Sequence, residues 1–282
     1  MRPPAIYPAR GRWDAHPNLP VERFNAGLPH LRITPSLSPT ETMRLWNSER
    51  PTNAETYFSQ PRQALALGAG VLAIFIALAL LVPTQPLAIE QHWASWMLEA
   101  QSPLLTKIAH VFNALGRGLG RTLVLVGIGV VLIAARRWWA LLAYAVVEAL
   151  TPLFTTLVKE LVERPRPPDG LVHPSGASFP SGHASFAGAT CLALVVMFTS
   201  PGRRRRLWWC LAALGIAGMA WSRTYLQVHW LLDVLAGSLL GGSTALVGYA
   251  TLQLVRRNLR SAEGLPDGSA SSSRRSPDGR QR

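Results

Sequence analysis

Ser222, Arg223, His229 and Asp233 form the densest group of chemistry-bearing residues in the sequence, within the run SRTYLQVHWLLD. His229 and Asp233 are four residues apart, so on a helix they share a face and the carboxylate can accept from one ring nitrogen. Such a bond fixes the tautomer, turns the other nitrogen outward as a nucleophile and stabilises the imidazolium. Arg223 supplies a cation nearby. An aspartate at the start of an apolar run is costly without a partner, so a functional role is the default. The plainer alternative is a helix-start carboxylate beside an interfacial histidine.

A second group, Phe179-Pro180-Ser181-Gly182-His183, stands immediately before another apolar run. At a helix start, Ser181 and Gly182 offer a hydroxyl and uncovered backbone N–H groups, backed by the positive end of the helix dipole, which suits an anion. Gly182 permits close backbone approach, and His183 exchanges a proton near neutral pH. Alone, these residues read equally as an N-cap with a bystander histidine. The third group is Lys159 to Pro167, KELVERPRP. Its prolines end a helix and leave Arg166 on an extended exit. An arginine fork and a lysine point charge suit a phosphate, although ordinary snorkelling at a membrane edge explains the pair as well. Together the groups supply three cations, two histidines, one orienting carboxylate and an anion-binding helix start. They account for phosphate binding with no metal or other cofactor, and no Cys/His metal spacing occurs.

The elements that must position these residues are membrane spans. Of 282 residues, 49% are hydrophobic and only 15% charged, with the charge concentrated at the two ends. The net charge of +13 raises nucleic acid as a partner, but the excess lies in short Arg-rich stretches beside apolar runs, so the expected partner is the bilayer and not nucleic acid. Cys191 and Cys210 lie within apolar runs and read as small buried hydrophobes rather than a disulfide.

The expected fold is all-α: a six-helix transmembrane bundle with spans near 64–83, 119–135, 138–158, 184–199, 207–222 and 231–254. Residues 1–62 and 257–282 read as polar, disordered cytoplasmic tails flanking a membrane domain at 63–256, with Met43 an alternative start to Met1. No signal peptide precedes the first apolar run, which acts as the insertion signal. Arg136 and Arg137, Arg203 to Arg206, and Arg256, Arg257 and Arg260 then share one face, which the positive-inside rule makes cytoplasmic. All three polar groups fall on the opposite, outer face.

Between the first two spans, Ser102 as N-cap, Pro103 at the first helical position and Gly116 as terminator predict an amphipathic helix at the outer surface. Trp93 and Trp96 anchor the stretch before it. That helix either packs over the bundle or walls a lateral lipid entrance. Glu148 lies mid-span, and a hydrogen bond to a neighbouring helix is the favoured reading over a functional one. His173 is expected in solvent, Glu163 and Asp169 are placed to tune the cations, and His92 and His110 belong to the interfacial segment.

The three groups resemble the signature of the type 2 phosphatidic acid phosphatase and vanadium haloperoxidase superfamily: Lys-x6-Arg-Pro, Pro-Ser-Gly-His and Ser-Arg-x5-His-x3-Asp, filled without substitution. The resemblance covers about residues 60–255 and, with its spans, is nearest the membrane lipid phosphatase branch. It implies a metal-independent hydrolase. His229 would form a phosphohistidine, with Asp233 orienting it and His183 acting as acid and then base. Lys159, Arg166, Ser181, Gly182 and Arg223 would bind the phosphate. The implied substrate is a phospholipid or isoprenoid lipid phosphate or diphosphate; the topology puts its cleavage at the outer face, and the Arg-rich, Ala-rich composition points to a bacterial inner membrane. Transfer of the phosphoryl group to an acceptor lipid, or lipid binding without catalysis, are the competing readings.

Overall fold

The computed structural model describes residues 61–198 and 203–262, and every described element is helical. The expected tails at 1–60 and 263–282 lie outside the described residues. In chain order the helices are α1 (Pro61–Leu81), α2 (Ala88–Glu99), α3 (Pro103–Leu115), α4 (Gly118–Ala134), α5 (Trp138–Val162), α6 (Gly182–Phe198), α7 (Arg203–Tyr225) and α8 (Leu231–Ala262). Helices α1 and α4 to α8 coincide with the six apolar runs. Helix α8 continues past the expected domain boundary at 256, to Ala262.

The run before Ser102 is itself a helix, α2, rather than only an anchored connection. Its start is stabilised where Leu87 N donates to Glu90 Oε2 at 3.0 Å. Helix α3 begins as its sequence predicts, with Pro103 at N1 and Leu105 N donating to Ser102 Oγ at 3.4 Å; Gly116 caps its end. Helices α1, α5 and α8 are each long and apolar enough to cross a membrane. Helices α3 and α4 meet that test only as a pair bent by 60°, and α6 is a shorter apolar helix.

Helix α8 is the centre of the packing, lying against α6, α1 and α5. The α6–α8 contact is close because small residues face each other. A Cβ on Gly241 would sit 1.9 Å from Ser185 O, and one on Gly237 would sit 2.4 Å from Ser181 O. Small residues let membrane helices approach until their backbones touch. Here the approach sets the Pro180-Ser181-Gly182 turn directly against the start of α8, where Ser181 N donates to Asp233 O at 2.9 Å. Large apolar side chains such as Ile74 and Leu80 on α1 and Leu123 and Val130 on α4 point outward, as a lipid-facing surface requires.

Inside the bundle, Glu148 on α5 accepts from Thr190 Oγ1 on α6 at 2.7 Å, the interhelical bond expected of it, and Arg121 on α4 approaches to 4.0 Å. Both cysteines are free; Cys191 is half-buried, whereas Cys210 is exposed rather than buried. Nothing local predicts that difference, because both lie in equally apolar sequence.

Candidate active site

Antiparallel connectivity brings the polar groups together. Lys159 and Arg223 lie near the C-terminal ends of α5 and α7, while Gly182, His183 and Asp233 lie in the first turns of α6 and α8. In a bundle whose consecutive helices reverse direction, these ends meet. The intervening loops carry Arg166 and His229.

His229 stands at the centre. Its Nε2 is 3.2 Å from Arg166 Nη1, and its Nδ1 is 3.6 Å from Asp233 Oδ2. The second separation is longer than the hydrogen bond the four-residue spacing suggests. The reason is visible at Asp233: Oδ2 already accepts from Trp230 N at 2.8 Å and from Ser178 Oγ, while Oδ1 accepts from Arg164 at 2.7 Å. His229 also lies in the loop before α8, so the helical i,i+4 geometry does not apply. Burial pulls the imidazole down to about 3, against the upward pull of Asp233 and helped by Arg166 and Arg223. Burial thus favours the neutral ring.

Arg166 is held in place by backbone carbonyls: Gly176 O at 3.0 Å, Val228 O at 2.8 Å and Ala177 O at 3.1 Å. Burial lowers its guanidinium from the usual range, with Asp233 opposing. Lys159 Nζ donates to Ala177 O and, at 3.4 Å, to Ser178 O, so it is bonded to the loop rather than snorkelling into water. Arg223 is buried, with Nη1 donating to Asn113 Oδ1 at 2.6 Å. His183 Nε2 lies 3.3 Å from Asn113 O, and a Cβ on Gly116 would meet the His183 ring at 2.4 Å. The α3–α4 elbow thus lies against the second histidine. Ser181 is buried, its Oγ accepting from Ala184 N at 3.5 Å as an N-cap does.

Every motif residue picked out from spacing lies at this end of the bundle. Spacing missed four partners: Glu90, Asn113, Arg164 and Ser178. Glu90, rather than Glu163 or Asp169, is the loop-side carboxylate paired with an arginine, and Glu163 is exposed at a left-handed helix end. His173 is exposed as expected. Beside Lys159 and Arg164 opens a cleft of about 560 Å³, lined also by Thr156, Glu160, Pro165 and Ala177.

Convergent cations, a helix N-terminus and a buried histidine backed by a carboxylate form an arrangement suited to phosphoryl transfer on an all-helical membrane scaffold. The PAP2 superfamily model matches residues 140–257. Over 148 residues the chain is 30% identical to phosphatidylglycerophosphatase B of Bacillus subtilis (strain 168), covering 50% of this chain and 72% of that protein. An undecaprenyl-diphosphatase of Sulfolobus acidocaldarius is 40% identical over 68 residues, 24% of this chain and 30% of the other. In fold, the chain resembles the crystal structure of the transmembrane PAP2-type phosphatidylglycerolphosphate phosphatase from Bacillus subtilis. That likeness has a TM-score of 0.56 at 24% identity, over 69% of this chain and 96% of that one. The chain belongs to the PAP2 superfamily. It is an integral membrane protein and a phosphatase.

Proposed function

We propose that this chain hydrolyses a lipid phosphate or diphosphate at the outer face of a bacterial inner membrane through a phosphohistidine intermediate. The observation that carries the reading is the placing of His229, with Nε2 beside Arg166 and Nδ1 towards Asp233. His229 Nε2 attacks phosphorus in line, and the bond to the leaving oxygen breaks as His183 protonates it. His183 then takes a proton from water, which attacks the phosphohistidine and releases phosphate. Lys159, Arg166 and Arg223, with Ser181 and the Gly182 N–H, take up the charge on the non-bridging oxygens.

The substrate class rests on the relatives, a phosphatidylglycerophosphatase and an undecaprenyl-diphosphatase. The membrane domain is residues 63–256, with six spans, α1 and α4 to α8, and both flanks cytoplasmic. The meeting of site residues at one end of the bundle supports that topology, with the arginine-rich connections at the other end. Helix α3 then lies at the outer surface and α4 is a tilted or locally thinned span.

The test is phosphate release by full-length protein in detergent over a panel of lipid phosphates and diphosphates, with His229→Ala as control. Release by the parent, none by a folded His229→Ala variant, and a parent activity that survives EDTA are the expected results. A His229→Ala variant that retains activity sinks the nucleophile.

A further inference from the structure

We propose that Arg164, with Glu90 behind it, is a positioning residue that holds Asp233 ionised and aimed at His229. Arg164 and Arg166 look alike in the PRPP exit, yet they serve opposite faces of the same pair. Arg166 reaches His229 Nε2, the nitrogen that meets phosphorus in the proposed reaction, whereas Arg164 lies behind Asp233.

Arg164 is 0% exposed, and each nitrogen of its guanidinium donates. Nε donates to Pro83 O at 3.0 Å. Nη1 donates to Asp233 Oδ1 at 2.7 Å and to Glu90 Oε1 at 3.2 Å, and Nη2 donates to Glu90 Oε2 at 2.6 Å. Glu90, also 0% exposed, accepts in addition from Leu87 N and from Leu232 N, each at 3.0 Å. The connector after α1, the start of α2 and the start of α8 are thereby tied to one guanidinium. The side chains of Arg164, Glu90 and Asp233 are each 0% exposed, so the loss of one member uncovers a charge that water does not reach.

The charges have a mechanistic sense. Glu90, Arg164 and Asp233 together carry one net negative charge. Lys159 and Arg166 offset part of it, and it favours the ring further when His229 becomes cationic on phosphorylation. A dry, fixed field that matches the intermediate better than the resting state favours the chemical step. Without Arg164, two carboxylates would share the same dry space, and one would take up a proton near neutral pH. Lys159 from α5, Arg166 and His229 from the loops also face Asp233, and Arg223 from α7 and His183 from α6 act on His229. None of them donates to Asp233 Oδ1, so none substitutes for Arg164.

The role rests on the phosphohistidine reading and is tested on full-length protein in detergent with dioctanoyl phosphatidate as probe. Arg164→Gln is expected to lower kcat with KM little changed. Its acid limb of kcat should move up by about one pH unit or more, a tenfold change in proton affinity. Combining it with Glu90→Gln restores the net charge, and the limb should return towards the parent position. A parent-like kcat and limb in Arg164→Gln overturns the proposal. So does a raised KM at constant kcat, which would make Arg164 a substrate ligand. If Arg164→Gln does not fold, Glu90→Gln alone decides: removing its negative charge should move the limb down, and an unmoved limb overturns the role. An active His229→Ala variant would remove the phosphohistidine reading itself. A normal limb together with an inactive His229→Ala removes only the role of Arg164.

Discussion

The two histidines of the site are held in opposite ways. On the side of His229, the proposed nucleophile, Asp233 accepts from Arg164, Trp230 and Ser178, and all of these contacts are buried. On the other side, the hydrogen bond of the His183 side chain is the one at 3.3 Å to the Asn113 carbonyl, and Arg223 leans on the Asn113 side chain. Buried polar networks with every member satisfied are rigid, whereas single contacts to a surface elbow are not. Asp233 is therefore fixed, although His229 Nδ1 beside it is buried without a hydrogen-bond partner, whereas His183 and Arg223, the proposed acid and clamp, depend on how the α3–α4 elbow sits.

The largest break in that contrast is expected from His183→Ala. If His183 only serves proton transfer, its loss should lower kcat for lipid substrates by about 10²–10⁴-fold. A substrate with a good leaving group, such as 4-nitrophenyl phosphate, should still phosphorylate His229, and the phosphoenzyme should then accumulate because water is no longer activated. Acid-labile labelling from the radioactive substrate reads this directly. Loss of labelling would mean that the second histidine is needed to build the nucleophile half.

The asymmetry also marks what could be read from sequence. The six apolar runs and the cap signals at Ser102, Pro103 and Gly116 are local patterns, and they placed the helices within a few residues. The motif residues were legible as a set, since each group alone has a structural explanation and only their combination on one face points to chemistry. Glu90 and Arg164 were not legible. They are 74 positions apart, and their pairing depends on how α2 folds back over the start of α8. A charged residue in a polar connection looks solvated until the fold encloses it, so nothing in KELVERPRP distinguishes the buried arginine from the half-buried one. The 3.6 Å gap between His229 and Asp233 has the same origin, since the four-residue spacing crosses a loop and not a helix.

A smaller effect is expected at the elbow. Asn113→Ala removes the 2.6 Å bond to Arg223 and leaves the backbone carbonyl near His183 in place. Arg223 is buried, so the loss frees a cation without giving it water. The worth of one such bond to a charged group, about 1.5–2 kcal/mol, corresponds to a fall in kcat/KM of about 10- to 30-fold. Steady-state kinetics beside an unchanged melting curve would sharpen the contrast. A loss as large as that of His183→Ala would show that the elbow is as fixed as the nucleophile side.

The smallest effect is expected deeper in the bundle, at Glu148. This residue has one short bond, from Thr190, and an arginine at 4.0 Å, and it reaches none of the site residues through a hydrogen bond. Arg121 also lies over the Phe186 ring at 4.9 Å, a contact that does not need the carboxylate. In Glu148→Gln the amide oxygen can accept the same Thr190 bond, so only the loose ion pair is lost. Interhelical polar contacts in membranes average about 0.6 kcal/mol, so thermal stability should move by about 1 kcal/mol at most. Phosphate release should match the parent. A folded Glu148→Gln variant without activity would extend the catalytic machinery into the membrane interior, and burial of a charge would then no longer separate the parts of this bundle that react from the parts that only pack.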